Sequence, residues 1–133
     1  HIVALLIYSS EPLSLGDIAK HLHRSKGPVS QILKRLRDKK LIRKAWSPEN
    51  NRQDFYEIEP EIFENAFRNN LELIKNNVRI AKQLKSIVKG EKSTEFKGLK
   101  TRMEEMESFY VLMEQHYRNF LGEWISAREK LYK

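Results

Sequence analysis

Apolar positions along this chain fall into two regimes. Up to Ile58 they come in short clusters parted by turn formers; beyond Pro60 they recur every three or four residues over tens of positions. Ile2 to Tyr8 reads as the end of a buried helix, closed by Ser9-Ser10-Glu11-Pro12. Ser14-Leu15-Gly16-Asp17 predicts a capping-box start, and Ile18, Ala19 and Leu22 mark one face of the short helix that follows. His23-Arg24 breaks it. Ser25 is placed as a second N-cap, with Pro28 in the first turn, where a missing N–H costs nothing. Val29, Ile32, Leu33 and Leu36 are the apolar stripe of a helix running to about Lys39. Two short helices joined by such a turn form a helix-turn-helix. Leu41 to Trp46 and Asp54 to Ile58 then read as strands around the turn-rich Ser47-Pro48-Glu49-Asn50-Asn51. A hairpin directly after a helix-turn-helix makes a winged helix. Its expected core is Leu5, Leu6, Ile18, Leu22, Val29, Ile32, Leu33, Leu36, Ile42, Tyr56 and Ile58.

A core that small is marginal by itself, so support is expected from the second half. Pro60 and Glu61 open a helix bearing Phe63, Phe67, Leu71, Ile74, Val78, Ala81, Leu84 and Val88, ending near Gly90. A second helix begins around Thr94. Its apolar positions are Phe96, Leu99, Met103, Met106, Tyr110, Met113, Tyr117, Phe120, Trp124, Ala127 and Leu131, spaced by alternating threes and fours. A strict 3.5-residue repeat predicts a coiled-coil-like seam. At ~1.5 Å per residue this helix spans roughly 55 Å. The seam therefore needs a long partner, and both the helix of residues 61–89 folded back and a second copy of the chain are expected to contribute. The expected fold is mostly α with a small β-hairpin wing, and the expected organisation is a winged helix-turn-helix domain over 1–59 followed by a helical dimerisation region over 60–133.

Charge changes the picture. From Lys20 to Lys44 ten Lys and Arg stand against Asp38 alone, a net +9 within 25 residues, and the other 108 residues sum to −2. A segment this basic on a helix-turn-helix is an electrostatic footprint for phosphates. There is no cysteine, which excludes a disulfide scaffold, a thiol nucleophile and a zinc ribbon. The longest apolar run is far short of the ~20 residues of a membrane span, and no presequence pattern accompanies it, so a cytoplasmic protein with no membrane partner is expected. His1 is not an initiator methionine, so further residues are expected ahead of it.

Asp17-Ile18-Ala19, Ser25-Lys26-Gly27-Pro28-Val29-Ser30, Leu33, Leu36 and the wing stretch Asn51-Arg52-Gln53-Asp54-Phe55-Tyr56 resemble the winged helix of MarR-like regulators, particularly the GbsR type. Relatives often carry glycine where this chain has His23 and Lys40. The resemblance implies a homodimeric, double-stranded-DNA-binding transcription regulator. Its recognition helix (25–39) would enter the major groove and its wing (47–53) the minor groove.

In this geometry the N-terminal part of the second helix meets base edges. Lys26, Ser30, Gln31 and Lys34 are the expected base contacts, since Gln pairs with adenine and Lys reaches guanine. Arg24, Ser25, Arg35 and Arg37 are expected on phosphates, with Gly27 allowing the first turn to approach the backbone. The wing offers Asn50, Asn51, Arg52 and Gln53, with Arg52 as minor-groove probe unless it pairs with Glu49 or Asp54. The expected dimerisation positions are Met103, Met106, Tyr110, Met113, Tyr117, Phe120 and Trp124.

Other chemistry is thin. His21 and His23 do not share a helix face, and no carboxylate cluster completes a metal site, so no metal or cofactor is expected. No nucleophile elbow, P-loop or dinucleotide fingerprint occurs, which argues against an enzyme. Phe109, Tyr110, Tyr117, Phe120 and Trp124 raise the question of a small-molecule effector. The resemblance implies quaternary ammonium ligands such as choline, which aromatic cages hold by cation–π attraction. Most of these rings sit on seam positions, and packing explains them more simply. The rival to DNA binding is a winged-helix protein–protein module with a helical scaffold arm; such a surface would expose apolar residues, of which Leu41 and Trp46 are the candidates.

Overall fold

The computed structural model describes residues 1–46, 53–89 and 95–133. Its elements run α1 (Ile2–Tyr8), β1 (Leu13–Ser14), α2 (Leu15–Leu22), α3 (Lys26–Asp38), β2 (Ile42–Ala45), β3 (Phe55–Ile58), α4 (Ile62–Lys89) and α5 (Glu95–Leu131). The fold is mostly helical, with a small antiparallel sheet and two long C-terminal helices. It divides into two compact units, His1–Ala66 and Phe67–Lys133.

In the first unit, local chemistry sets the start of α2 and the ends of α2 and α3. Ser14 is the N-cap of α2, its Oγ accepting from the Asp17 amide at 3.1 Å, which satisfies one of the orphan donors of the first turn. α2 ends at His23, left-handed at φ 52°, where the amides of His23 and Arg24 donate to the carbonyls of Lys20 and Ala19. α3 ends the same way at Lys40, φ 60°, with Lys40 and Leu41 donating to Arg37 and Leu36. Both are paired 5→2 and 6→1 C-caps of the kind glycine usually makes. The Asn65 side-chain amide braces the second corner, donating to the Lys40 carbonyl at 2.8 Å.

The sheet has a third strand that the hydrophobic pattern does not reveal. β3 lies between β1 and β2, with Leu13 opposite Tyr56 and Ile42 opposite Ile58. A two-residue strand has no periodicity to read, and Leu13-Ser14 looks like a loop running into a cap. The core comprises Ile2, Leu6, Ile18, Ala19, Val29, Leu33, Ile42 and Tyr56, with Leu5, Leu13, Leu15, Leu22, Ile32, Leu36 and Ile58 packed against it. Every expected core position is in or against this cluster, and Ile18, Val29 and Leu33 are fully buried.

In the second unit α4 and α5 pair antiparallel. Phe67, early in α4, stacks on Tyr117 at 4.4 Å between ring centroids and lies 4.8 Å from Phe120, while Lys85, late in α4, bridges Glu107 at 3.3 Å. Leu71, Ile74, Val78, Ala81 and Val88 are buried along α4. Two expected positions differ. Phe63 is exposed while its neighbour Ile62 is buried, and Leu84 is also exposed.

The expected seam of α5 loses phase along its length. Met103, Met106, Tyr110, Met113, Tyr117 and Trp124 are half-buried, but Phe120, Ala127 and Leu131 face out and Leu121 is the buried residue. A straight α-helix drifts ~20° per heptad against a 3.5-residue repeat, so the inward face passes from 117 to 121, 124 and 128 instead of 120, 124 and 127.

Candidate nucleic-acid interface

α3 is held to the first unit by one face. Val29 and Leu33 are fully buried, Ile32 and Leu36 partly so. At ~100° per residue, the opposite face carries Gly27, Ser30, Gln31, Lys34 and Arg35, and all five are exposed. A Cβ on Gly27 would meet nothing within 4 Å in the protein, so its lack of a side chain serves nothing in this chain's own packing. Ser25 takes the N-cap backbone conformation but makes no side-chain cap bond, leaving an exposed hydroxyl ahead of the helix.

The basic segment is not electrostatically uniform. At the base of the wing its charges are answered by β3 and the residue before it: Arg43 Nε donates to Glu57 at 2.8 Å across the Arg43–Glu57 register pair, and Lys44 pairs with Asp54 at 3.0 Å. Along the helix-turn-helix, Arg24, Lys26, Lys34, Arg35 and Arg37 make no ion pair among the described residues. The uncompensated charge is therefore concentrated on α3 and the turn before it.

Lys26 is placed differently from the other expected base contacts. A Cβ on Gly16 would lie 3.7 Å from its Cε and 3.9 Å from its Nζ. The lysine thus folds over the start of α2 and lines a cleft of about 300 Å³ with Ser14, Leu15, Gly16, Ser30, Gln53, Asp54 and Tyr56. Periodicity could not show this, because the cleft is assembled by the β1–β3 pairing that brings Tyr56 alongside Leu13. Asn50, Asn51 and Arg52, with the rest of the wing tip over 47–52, lie outside the described residues. Trp46, at the end of β2, is 79% exposed.

Of the aromatic residues weighed as a cage, Tyr117 and Phe120 are engaged with Phe67, and Phe109 meets Tyr110 edge-on at 5.3 Å. The Trp124 indole N–H is buried without a partner among the described residues. No described helix is long and apolar enough to cross a membrane.

Comparison with known proteins agrees with this geometry. Residues 3–53 match the sequence model of the MarR family. The chain is similar to the crystal structure of a transcriptional regulator at a TM-score of 0.75 and 19% identity, covering 94% of this chain and 82% of that one. Weaker likenesses include an S. aureus MepR–DNA complex (TM-score 0.45, 22% identity, 68% of this chain and 75% of that one) and the transcriptional regulator BldR from Sulfolobus solfataricus (0.42, 18%, 78% and 72%). No curated protein matches the chain. The first unit is thus a winged helix-turn-helix whose residues 3–53 are similar in sequence to the MarR family, and the chain shares its fold with a solved structure over nearly its whole length.

Proposed function

We propose that the protein is a sequence-specific, double-stranded-DNA-binding transcription regulator that works as a homodimer. The observation that carries this reading is the bare outer face of α3, small and polar at Gly27, Ser30 and Gln31 and cationic at Lys34 and Arg35, on a helix whose other face is locked into the core. Ser30, Gln31 and Lys34 face base edges in the major groove, with Gln31 suited to adenine and Lys34 to guanine. Arg24, Ser25, Arg35 and Arg37 hold phosphates and fix register, and Gly27 admits the sugar–phosphate backbone. Lys26 joins the phosphate set, because its ammonium and the positive end of the α2 dipole both adjoin the cleft beside Gly16, where an anion is stabilised by each. Gln53 extends the same wall toward the wing, whose Asn50, Asn51 and Arg52 enter the minor groove.

Dimerisation rests on the second unit. α4 leaves Leu73, Ile80, Leu84 and Ile87 exposed along one stripe, and α5 leaves Phe109, Leu112 and Phe120. Contiguous apolar surface of this kind marks an interface. Since Tyr117 and Phe120 already meet Phe67 of their own chain, Phe109 and Leu112 on the flank of the expected seam are the stronger anchors for a second copy. Two-fold pairing sets two α3 helices about one helical turn of DNA apart, roughly 34 Å, over a near-palindromic site.

A salt-titrated gel shift against genomic fragments and random duplex tests the function. A regulator retains some genomic fragments at salt concentrations that release random duplex. Equal release of every duplex indicates sequence-independent binding, and no retention at low salt removes DNA as the partner.

A further inference from the structure

The second unit has its own concentration of positive charge. Residues 75–102 contain nine Lys and Arg against two Glu, a surplus hidden when everything outside 20–44 is summed together. On α4 the charge is ordered: Lys75, Arg79 and Lys82 fall at steps of four and three, with Ser86 continuing the row. At ~100° per residue this row stands roughly 140° around the helix from the exposed apolar stripe Leu73, Ile80, Leu84, Ile87. The helix therefore presents three faces: one buried against its own chain, one apolar and open, one cationic.

The cationic face borders an open groove of about 700 Å³ lined by Lys75, Val78, Arg79, Lys82, Gln83, Ser86 and Ile87. Lys82 also lines a second groove with Lys85, Ser86, Lys100, Glu104 and Glu107. Local partners answer only part of the charge. Lys75 reaches Glu72 at 3.0 Å, Arg79 bonds the Asn76 side chain, and Lys85 bridges Glu107, while Lys82 and Lys100 make no ion pair among the described residues.

We propose that Lys75, Arg79 and Lys82 form a second contact for duplex DNA, made to the phosphate backbone and blind to sequence. Three cations over about 10 Å of helix axis oppose a polyanion that carries one charge per ~1.7 Å. A lipid surface would draw in cations that flank an apolar face, and here the two faces are centred well apart and meet only at Ile87. An acidic protein would need apolar anchors among the charges, whereas the exposed residues beside them are Asn76, Gln83 and Ser86, with Ile87 the one exposed apolar residue lining the groove. This inference rests on the first unit's proposed role, since a duplex held by α3 presents its flanks at high effective concentration.

The test uses the whole chain with Lys75→Gln, Arg79→Gln and Lys82→Gln combined, and Lys82→Gln alone in case the triple variant folds poorly. Affinity is measured against salt on a duplex several turns longer than the recognised site and on one just spanning it. On the long duplex the triple variant is expected to lose about 2–3 from the slope of log affinity on log salt, at ~0.9 per phosphate contact, and Lys82→Gln about 1. On the short duplex both slopes stay as in the wild type. Unchanged slopes on the long duplex overturn the proposal. So does loss of retention on phosphatidylglycerol vesicles with DNA slopes unchanged, which assigns the face to lipid. A parallel Gln31→Ala/Lys34→Ala variant separates the two readings: if it leaves short-duplex binding intact, the α3 assignment fails, whereas the α4 contact is judged by its own slope.

Discussion

The two units of this chain solve the problem of apolar surface in opposite ways. The first gathers its apolar residues into one cluster: two short helices, a seven-residue helix and a three-stranded sheet place every expected core residue in or against it, and its large exposed apolar residues, Ile7, Tyr8, Trp46 and Phe63, stand at the ends of elements. The second, built from two of the longest regular elements the sequence encodes, leaves Leu73, Ile87, Phe109, Leu112 and Phe120 more than half exposed. A helix pair has one mutual face, and α4 and α5 carry more apolar residues than that face can take. The lesson is about division of labour. The first unit leaves a polar face of α3 bare, and the second leaves apolar surface that, on the proposed reading, a second copy covers.

The contrast can be broken most forcefully from inside the closed unit. Leu33 is fully buried beneath the exposed face of α3, so Leu33→Ala leaves a cavity and is expected to cost about 3 kcal/mol in urea unfolding. DNA binding should fall in step with the folded fraction. Next in size is the open unit. Phe109→Glu with Leu112→Glu places charge where a partner's apolar surface should sit, and sedimentation should show monomer at concentrations where the wild type is dimeric, with unchanged helical circular dichroism. A dimer that survives this pair moves the interface to the α4 stripe.

Smaller effects sharpen the local reading. Ser14→Ala removes the hydrogen bond to the Asp17 amide and should lower stability by about 1 kcal/mol. At the opposite sign, Lys40→Gly relieves a left-handed residue at φ 60° and should raise stability by about 0.5–1 kcal/mol, a gain read as a higher denaturant midpoint.

Much of the closed unit is legible in its residues because each boundary has a local cause: the Ser14 cap, Pro28 in the first turn of α3, and polar corners at His23 and Lys40. The last two show how position can override residue preference, since both adopt the conformation glycine would have taken. β1 escapes notice because two residues carry no period. The lean of Lys26 over Gly16 follows from long-range pairing that no local window contains. The helices beyond Pro60 are equally clear as helices, but their phase is not. A 3.5-residue repeat in α5 and a straight 3.6-residue helix agree at Tyr117 and part by Phe120, which is why Leu121 is buried and Phe120 is not. The exposed row on α4 is hidden for a related reason, because several apolar faces coexist on one helix and the pattern does not say which is covered.

The central claim is that the outer face of α3 reads sequence while its rim only holds phosphates. Its most direct measurement is a competition assay in which a selected duplex is challenged with random duplex, using Gln31→Ala and Arg37→Ala in the full chain. Gln31→Ala should lose affinity for the selected duplex by about 1–3 kcal/mol, roughly tenfold or more, with random-duplex affinity nearly unchanged, and Arg37→Ala should weaken both equally. If both variants lose selected and random binding in the same proportion, α3 does not present this face to the bases.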